Sequence, residues 1–351
     1  MKRIAFVCLL CSLLFAAPHA RAQQPKPSPA TPPAEDEVET VSTTLVTVPV
    51  RVSDRGGRFI TDLTRAQFRI FEDNVEQEIS FFETADKPFT VALLLDMSDS
   101  ARFKREDIQA AARAFVAQLR EGDRVMLVAF DKNVSVLSEA TGDRRVLFEA
   151  ISRARSGGGT SFYDALEETI SRRLSRISGR KAVVILSDGV DTTSRATLDA
   201  AGRAADASDA LVYTVQYDTI DDASKAQLDP ISRGQIVTDV VTPRGETLSA
   251  AYKRATAFMR LVADRTGGRY YMADNTTRLA ESFARIAAEL REQYSLGYYP
   301  KNRAGEGRQR KIKVTVDAPG ASVHARAHYV FKPRRIARRE QRDAVASLFD
   351  D

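Results

Sequence analysis

The chain has 351 residues, 43% apolar and 28% charged, which suits a soluble globular protein of two or three domains with ample surface to bury. Its formal charge is +5, but Lys2, Arg3 and Arg21 lie in the first 22 residues together with both cysteines, Cys8 and Cys11, and with His19. Without that segment the charge is +2, with no thiol and only His324 and His328, which excludes disulfides and Cys-His mechanisms, weighs against a Ser-His-Asp triad, and gives no case for nucleic-acid binding.

The segment itself reads as a secretory signal peptide. Lys2 and Arg3 precede an apolar stretch from Ile4 to Ala17, and Ala20-Arg21-Ala22 offers a small-x-small cleavage site before Gln23. It is too short for a spanning helix with the usual flanks, so no transmembrane span is expected after cleavage, and a periplasmic or secreted location follows. Residues 23–36, with Pro25, Pro27, Pro29, Pro32 and Pro33, form an extended spacer.

Residues 37–87 change character. TLVTVPVRVSD alternates apolar and polar positions, Gly56-Gly57 turns the chain, and FRIFEDN and EISFFE follow as further strands of a small antiparallel β module. Charged positions within it, such as Arg51 and Glu72, are expected on a solvated face. From Pro88 the pattern alternates strand and helix, which argues for a parallel sheet with helices on its faces, an α/β fold of doubly wound type. The strands are VALLLD at 91–96, RVMLVAF at 124–130 with an edge partner at 134–137, KAVVILS at 181–187, 211–217 and 269–272. Helices are expected at 106–119, 145–154, 162–177, 198–207, 251–263 and 279–293. Residues 218–249 lack periodicity and exceed the usual connection length, as a long functional loop or insertion would.

After residue 294 β character returns. SLGYYP is followed by KIKVTVD and VHARAHYVF, which a turn at Gly320 would join as a hairpin. The two β flanks, 37–87 and 295–333, are expected to build one module, since the first alone would leave open sheet edges. The aromatic positions Tyr270, Tyr271, Tyr298 and Tyr299 suit sheet packing better than a binding patch. The tail, 334–351, is Arg-rich, but Glu340 and Asp343 interrupt its charge as in a solvated helix.

The chemistry concentrates where the 91–96 strand ends. Asp96, Ser98 and Ser100 stand at alternate positions at the carboxyl end of a central strand, the place where ligands bind in open α/β sheets. Thr160 follows Gly157-Gly158-Gly159, a loop whose backbone can approach an ion closely, and Asp188 ends the other strongly apolar strand. Two carboxylates and neutral hydroxyls suit a hard cation.

These five residues resemble the metal-ion-dependent adhesion site of the von Willebrand factor A (vWA) family, whose fold integrin I domains share. The resemblance covers 88–294. It implies that Asp96, Ser98, Ser100, Thr160 and Asp188 hold one Mg²⁺ (or Mn²⁺ or Ca²⁺), and that an acidic residue of a protein partner completes the coordination sphere. Asp99 departs from the pattern, where the family usually has Gly. The flanking motifs V-x-V-x-V-x-D, FRIFEDNVEQ and YSLGYYP look like a bacterial vWA-related family described largely from Acidobacteria, with a β-rich flank on each side of the domain. The competing reading is a metal-dependent, phosphatase-like hydrolase using Asp96 as nucleophile. Such enzymes resemble D-x-D at this turn, whereas position 98 is Ser and no histidine stands near a strand end.

Overall fold

The computed structural model describes residues 45–331 except 86, 99–104, 218–241, 243–244, 303 and 306. The expected signal peptide, spacer and tail, Asp99, Ser100 and most of the 218–249 segment lie outside those residues.

Four strands open the described chain: β1 (Val46–Ser53), β2 (Phe68–Glu72), β3 (Val75–Gln77) and β4 (Ile79–Glu83). Strand and helix then alternate through β5 (Phe89–Asp96), α1 (Arg105–Ala117), β6 (Arg124–Phe130), β7 (Val134–Thr141), α2 (Arg144–Arg153), α3 (Phe162–Glu168), β8 (Arg180–Ser187), α4 (Leu198–Asp206), β9 (Leu211–Tyr217), α5 (Leu248–Thr266), β10 (Tyr270–Ala273) and α6 (Thr276–Arg291). The chain closes with β11 (Gln293–Tyr298), β12 (Gln309–Val316), β13 (Ser322–Ala325) and β14 (His328–Val330).

The alternating part builds a six-stranded sheet in the order β10-β9-β8-β5-β6-β7. All its pairings are parallel except that of β7 with β6. β5, all eight of its residues buried, lies between β8 and β6, which is why its sequence is apolar on both faces. One face of the sheet packs on α1, α2 and α6 through residues such as Phe115, Leu147 and Phe283. The other packs on α3, α4 and α5 through Leu166, Ala205 and Phe258. Side chains that cap N-termini fix the helix starts: Asp143 accepts from the Arg145 and Val146 amides, Thr197 from Ala200, Thr247 from Ala250 and Asn275 from Arg278. The helix expected over 162–177 changes pitch after Glu168, into a π turn at Thr169–Arg173 and a 3-10 turn at Leu174–Arg176, while Leu166, Ile170 and Leu174 stay buried throughout.

The flanks pair with each other. Two four-stranded sheets, β13-β1-β11-β4 and β14-β12-β2-β3, each combine strands from before and after the central sheet. Val46, Val48, Val50 and Val52 of β1 meet Ile70, Tyr294, Leu296 and Ile312 in one core between them. Two expectations are corrected here. Arg51 and Glu72 do not lie on a solvated face: each is 3% exposed. Arg51 pairs with Glu289 of α6, and Glu72 with Arg310 at 2.8 Å and with the hydroxyls of Tyr298 at 2.8 Å and Tyr329 at 2.6 Å. A buried charge is kept only with such partners. Nor is there one hairpin around Gly320. The VHARAHYVF segment divides, β13 pairing with β1 and β14 with β12. Between them the buried Arg326 donates to the carbonyls of Asp206, Ser208 and His328, which draws the chain from one sheet to the other.

The β module joins the central sheet at the amino ends of its strands. Arg180, the first residue of β8, donates to the carbonyls of Ala85, Lys87 and Leu290, and Arg326 closes the last turn of α4. The carboxyl ends of the strands, at the opposite pole, remain for a site.

Candidate metal centre

The candidate site is built where β5 and β8 end. Past Asp96, the Met97 amide still donates to Phe130 at 2.7 Å, and Ser98 forms a parallel bridge with Gly157, whose amide donates to the Met97 carbonyl at 2.9 Å. The triple-glycine loop is thereby laid alongside the end of the central strand. The approach there is close: a Cβ on Gly157 would stand 2.0 Å from an Asp131 carboxylate oxygen, which would have to move. Gly159 has φ of +77°, and its Cβ would meet the Thr193 methyl at 2.6 Å.

Thr160, 3% exposed, is fixed by its backbone. Its amide donates to the Thr192 hydroxyl at 2.8 Å, and its carbonyl accepts from the Thr192 and Thr193 amides at 2.9 and 3.1 Å. The segment from Asp188 to Thr193 thus ties the Thr160 loop to the end of β8.

Asp96 is fully buried and its two carboxylate oxygens are both engaged. One accepts from the Ser98 amide at 2.9 Å and the other from the Ser187 hydroxyl. Asp188, 1% exposed, accepts from the Val190 amide at 2.9 Å and from the Tyr252 hydroxyl at 3.4 Å, and its carbonyl accepts from Gln216 at 2.7 Å. Burial, and next the negative charge of Asp188, raise the Asp96 carboxyl to about 7, against the pull of hydrogen bonds from Ser187 and Ser98. Two carboxylates that repel each other out of reach of water are the setting a divalent cation relieves.

The structure thus brings Asp96, Ser98 and Asp188 to one point and holds Thr160 in the adjoining loop, while Ser100 lies outside the described residues. Ser187, Gln216, Tyr217 and Tyr252 also border the site. Ser187 was legible in the polar run SDGVDTT that follows β8. Gln216, Tyr217 and Tyr252 gave no signal, since each sits inside an element patterned for packing. The last residue of β9, Tyr217, is 2% exposed, and its hydroxyl has no hydrogen-bond partner among the described residues.

The donor set fits a hard cation. Among the described residues, no three or more His, Cys, Asp or Glu side chains gather as a cluster that could hold a metal, so a site of the soft or imidazole type has no ligands there. Two carboxylates with neutral hydroxyls are oxygen ligands of the kind Mg²⁺ and Ca²⁺ take. Asp96, Asp188, Ser98 and Thr160 are the residues that would hold such an ion.

Residues 91–190, which run from within β5 past Asp188, match the model of the family described as von Willebrand factor type A domain. No curated protein matches the chain. Among solved structures it is similar to the vWF domain of the type V pili tip protein Mfa5 from Porphyromonas gingivalis, at 15% identity and TM-score 0.42, over 58% of this chain and 95% of that one. It is similar to a von Willebrand factor type A protein from Catenulispora acidiphila at 13% identity and TM-score 0.46, over 80% of this chain and 78% of that one. A third is the pilus adhesin SpaC from Lactobacillus rhamnosus GG, at 11% identity and TM-score 0.45, over 74% of this chain and 47% of that one. At these identities and scores the assignment rests on the family match, supported by the parallel sheet and the helices on both its faces. Residues 91–190 therefore match a von Willebrand factor type A domain, and they lie between two β flanks that pair with each other.

Proposed function

We propose that the protein is an exported, non-enzymatic adhesion or scaffold protein that holds one divalent cation at the ends of β5 and β8 and captures a protein partner through it. The observation that carries this reading is the meeting of two buried carboxylates, Asp96 and Asp188, with the Ser98 hydroxyl at the carboxyl end of a central strand. Asp96 and Asp188 supply charge, and Ser98, Ser100 and Thr160 supply neutral oxygens. A cation with so few anionic ligands offers an open position to a carboxylate from outside, so the partner is expected to present an Asp or Glu. Mg²⁺ is the first candidate ion, with Mn²⁺ and Ca²⁺ next. Export rests on the signal-like first 22 residues. Among the described residues no helix is long and apolar enough to cross a membrane.

The phosphatase-like alternative fares worse on the geometry of Asp96. A nucleophilic carboxylate must reach the phosphorus of its substrate, and Asp96 is fully buried, with the Ser98 amide and the Ser187 hydroxyl fixing its two oxygens. The histidines His324 and His328 lie on β13 and β14, in the flank module.

Titration calorimetry with Mg²⁺ or Mn²⁺ tests the site. A single binding event is expected, lost in Asp96→Ala and in Asp188→Ala. Identical titrations of wild type and variants would remove the site. Turnover of a generic phosphoester with Mg²⁺, abolished by Asp96→Asn, would replace the binding reading with the enzymatic one.

A further inference from the structure

Tyr217 stands out among the buried tyrosines because its hydroxyl has no hydrogen-bond partner among the described residues. The other tyrosines of the core put theirs to use: Tyr294 donates to the Ile60 carbonyl at 2.9 Å, Tyr298 and Tyr329 to Glu72, and Tyr271 to Glu289 at 2.7 Å. Leaving a buried hydroxyl unpaired is destabilising, and phenylalanine would fill the same space without that cost. A tyrosine at this position therefore implies a partner beyond the described residues.

The position says which partner. β9 pairs in parallel with β8, with Gln216 opposite Ser187, so Tyr217 and Asp188 come side by side as the next residue of each chain. The charges that act on the Tyr217 hydroxyl are those of Asp96 and Asp188, which, after burial itself, push its ionisation well above the ordinary tyrosine range. The phenol therefore stays protonated, a donor near two carboxylates yet bonded to neither. That separation calls for a bridging molecule with an oxygen to offer.

We infer that Tyr217 is a positioning residue of the cation site, whose hydroxyl donates to a water in the coordination sphere of the ion bound by Asp96 and Asp188. This inference rests on the cation-site reading proposed above. It adds selectivity to it. Mg²⁺ keeps several waters in a near-octahedral shell, whereas Ca²⁺ accepts more and looser oxygen ligands, so a fixed donor to a bound water favours Mg²⁺. Groups that orient a metal's ligands from behind contribute about 10- to 100-fold in affinity.

The test compares wild type and Tyr217→Phe by calorimetry with Mg²⁺ and with Ca²⁺, and by thermal unfolding in EDTA and in each ion. Tyr217→Phe should weaken Mg²⁺ binding about tenfold or more and Ca²⁺ binding by clearly less. In EDTA it should unfold at the same temperature as wild type or higher. In wild type, Mg²⁺ should also perturb the near-ultraviolet tyrosine spectrum, and the variant should lack that component. Equal Mg²⁺ affinity in the two proteins would overturn the inference and leave the site standing. A lower unfolding temperature in EDTA would mean the hydroxyl has a partner in the chain, which also overturns it. Wild type that binds neither ion would overturn the cation site itself, and this inference with it.

Discussion

Asp96 concentrates the electrostatics of the site in one side chain. Burial and Asp188 raise its carboxyl to about 7 in the metal-free protein, from an ordinary value of 3.8. Between those two values the folded protein holds a proton that the unfolded chain has released. Stability must then fall as pH rises through that window and level off above it, the reverse of a salt-bridged aspartate. Denaturant titrations in EDTA at about pH 5 and about pH 7.5 should show this loss in wild type, beside a flatter profile in Asp96→Asn. Saturating Mg²⁺ should abolish the difference for wild type, because a cation favours the carboxylate and binding releases the proton. An unchanged slope in Asp96→Asn would assign the pH dependence to other groups. Of the five residues that the sequence pointed to, Asp96, Ser98 and Asp188 were legible because each interrupts or ends an apolar run. Tyr217 was not, since a tyrosine at the end of a buried strand reads as packing.

Glycines separate two kinds of element in this fold. Gly157 lies where the loop before α3 is pressed against the end of β5, and an added Cβ would overlap the Asp131 carboxylate at 2.0 Å. Gly157→Ala should cost about 1–3 kcal/mol and weaken cation binding, because the displaced loop carries Thr160. Gly202 is its opposite, inside α4 with only the Phe258 ring near, 3.9 Å from an added Cβ. Gly202→Ala should stabilise the protein by about 0.5–1 kcal/mol, since a helix interior gains from the restriction and the methyl has room. Chemical denaturation of both variants checks the pair, and a destabilised Gly202→Ala would mean that α4 packs more tightly than this. The elements were legible wherever the pattern was strong, as in β5, β6 and β8 with their apolar runs. The pitch change after α3 and the division of VHARAHYVF between two sheets were not, because the first depends on packing around Leu174 and the second on where Arg326 finds its acceptors.

At the scale of the whole molecule, buried charge links the β module to the central domain. Arg51 of β1 and Glu289 of α6 are 238 positions apart in the chain and pair with side chains only 3% and 6% exposed. Arg269 at 3.3 Å and the Tyr271 hydroxyl at 2.7 Å hold the other oxygen of Glu289, and Gln293 of β11 donates to the Tyr213 hydroxyl at 2.9 Å close by. A sequence shows Arg51 only as one charged position in an alternating strand, since the partner that makes its burial tolerable is known only once the chain has folded. Removing one member of such a pair leaves the other charged, dry and unpaired, so Glu289→Ala should cost about 3–5 kcal/mol. Replacing both, as in Arg51→Met with Glu289→Leu, should recover most of that loss, because a packed apolar pair avoids the desolvation that the ions suffer. The location of the pair also predicts how the loss spreads. Glu289 belongs to the helix that leads directly into β11, which pairs with β1 and β4 of the first flank, so the flank module and the central sheet should melt together. Protease protection of β1 to β4 and the cation-induced rise in unfolding temperature should therefore decline in parallel in Glu289→Ala and return in parallel in the double variant. Loss of flank protection alone, with the response to Mg²⁺ intact, would show that the two parts unfold independently and that this ion pair does not couple them.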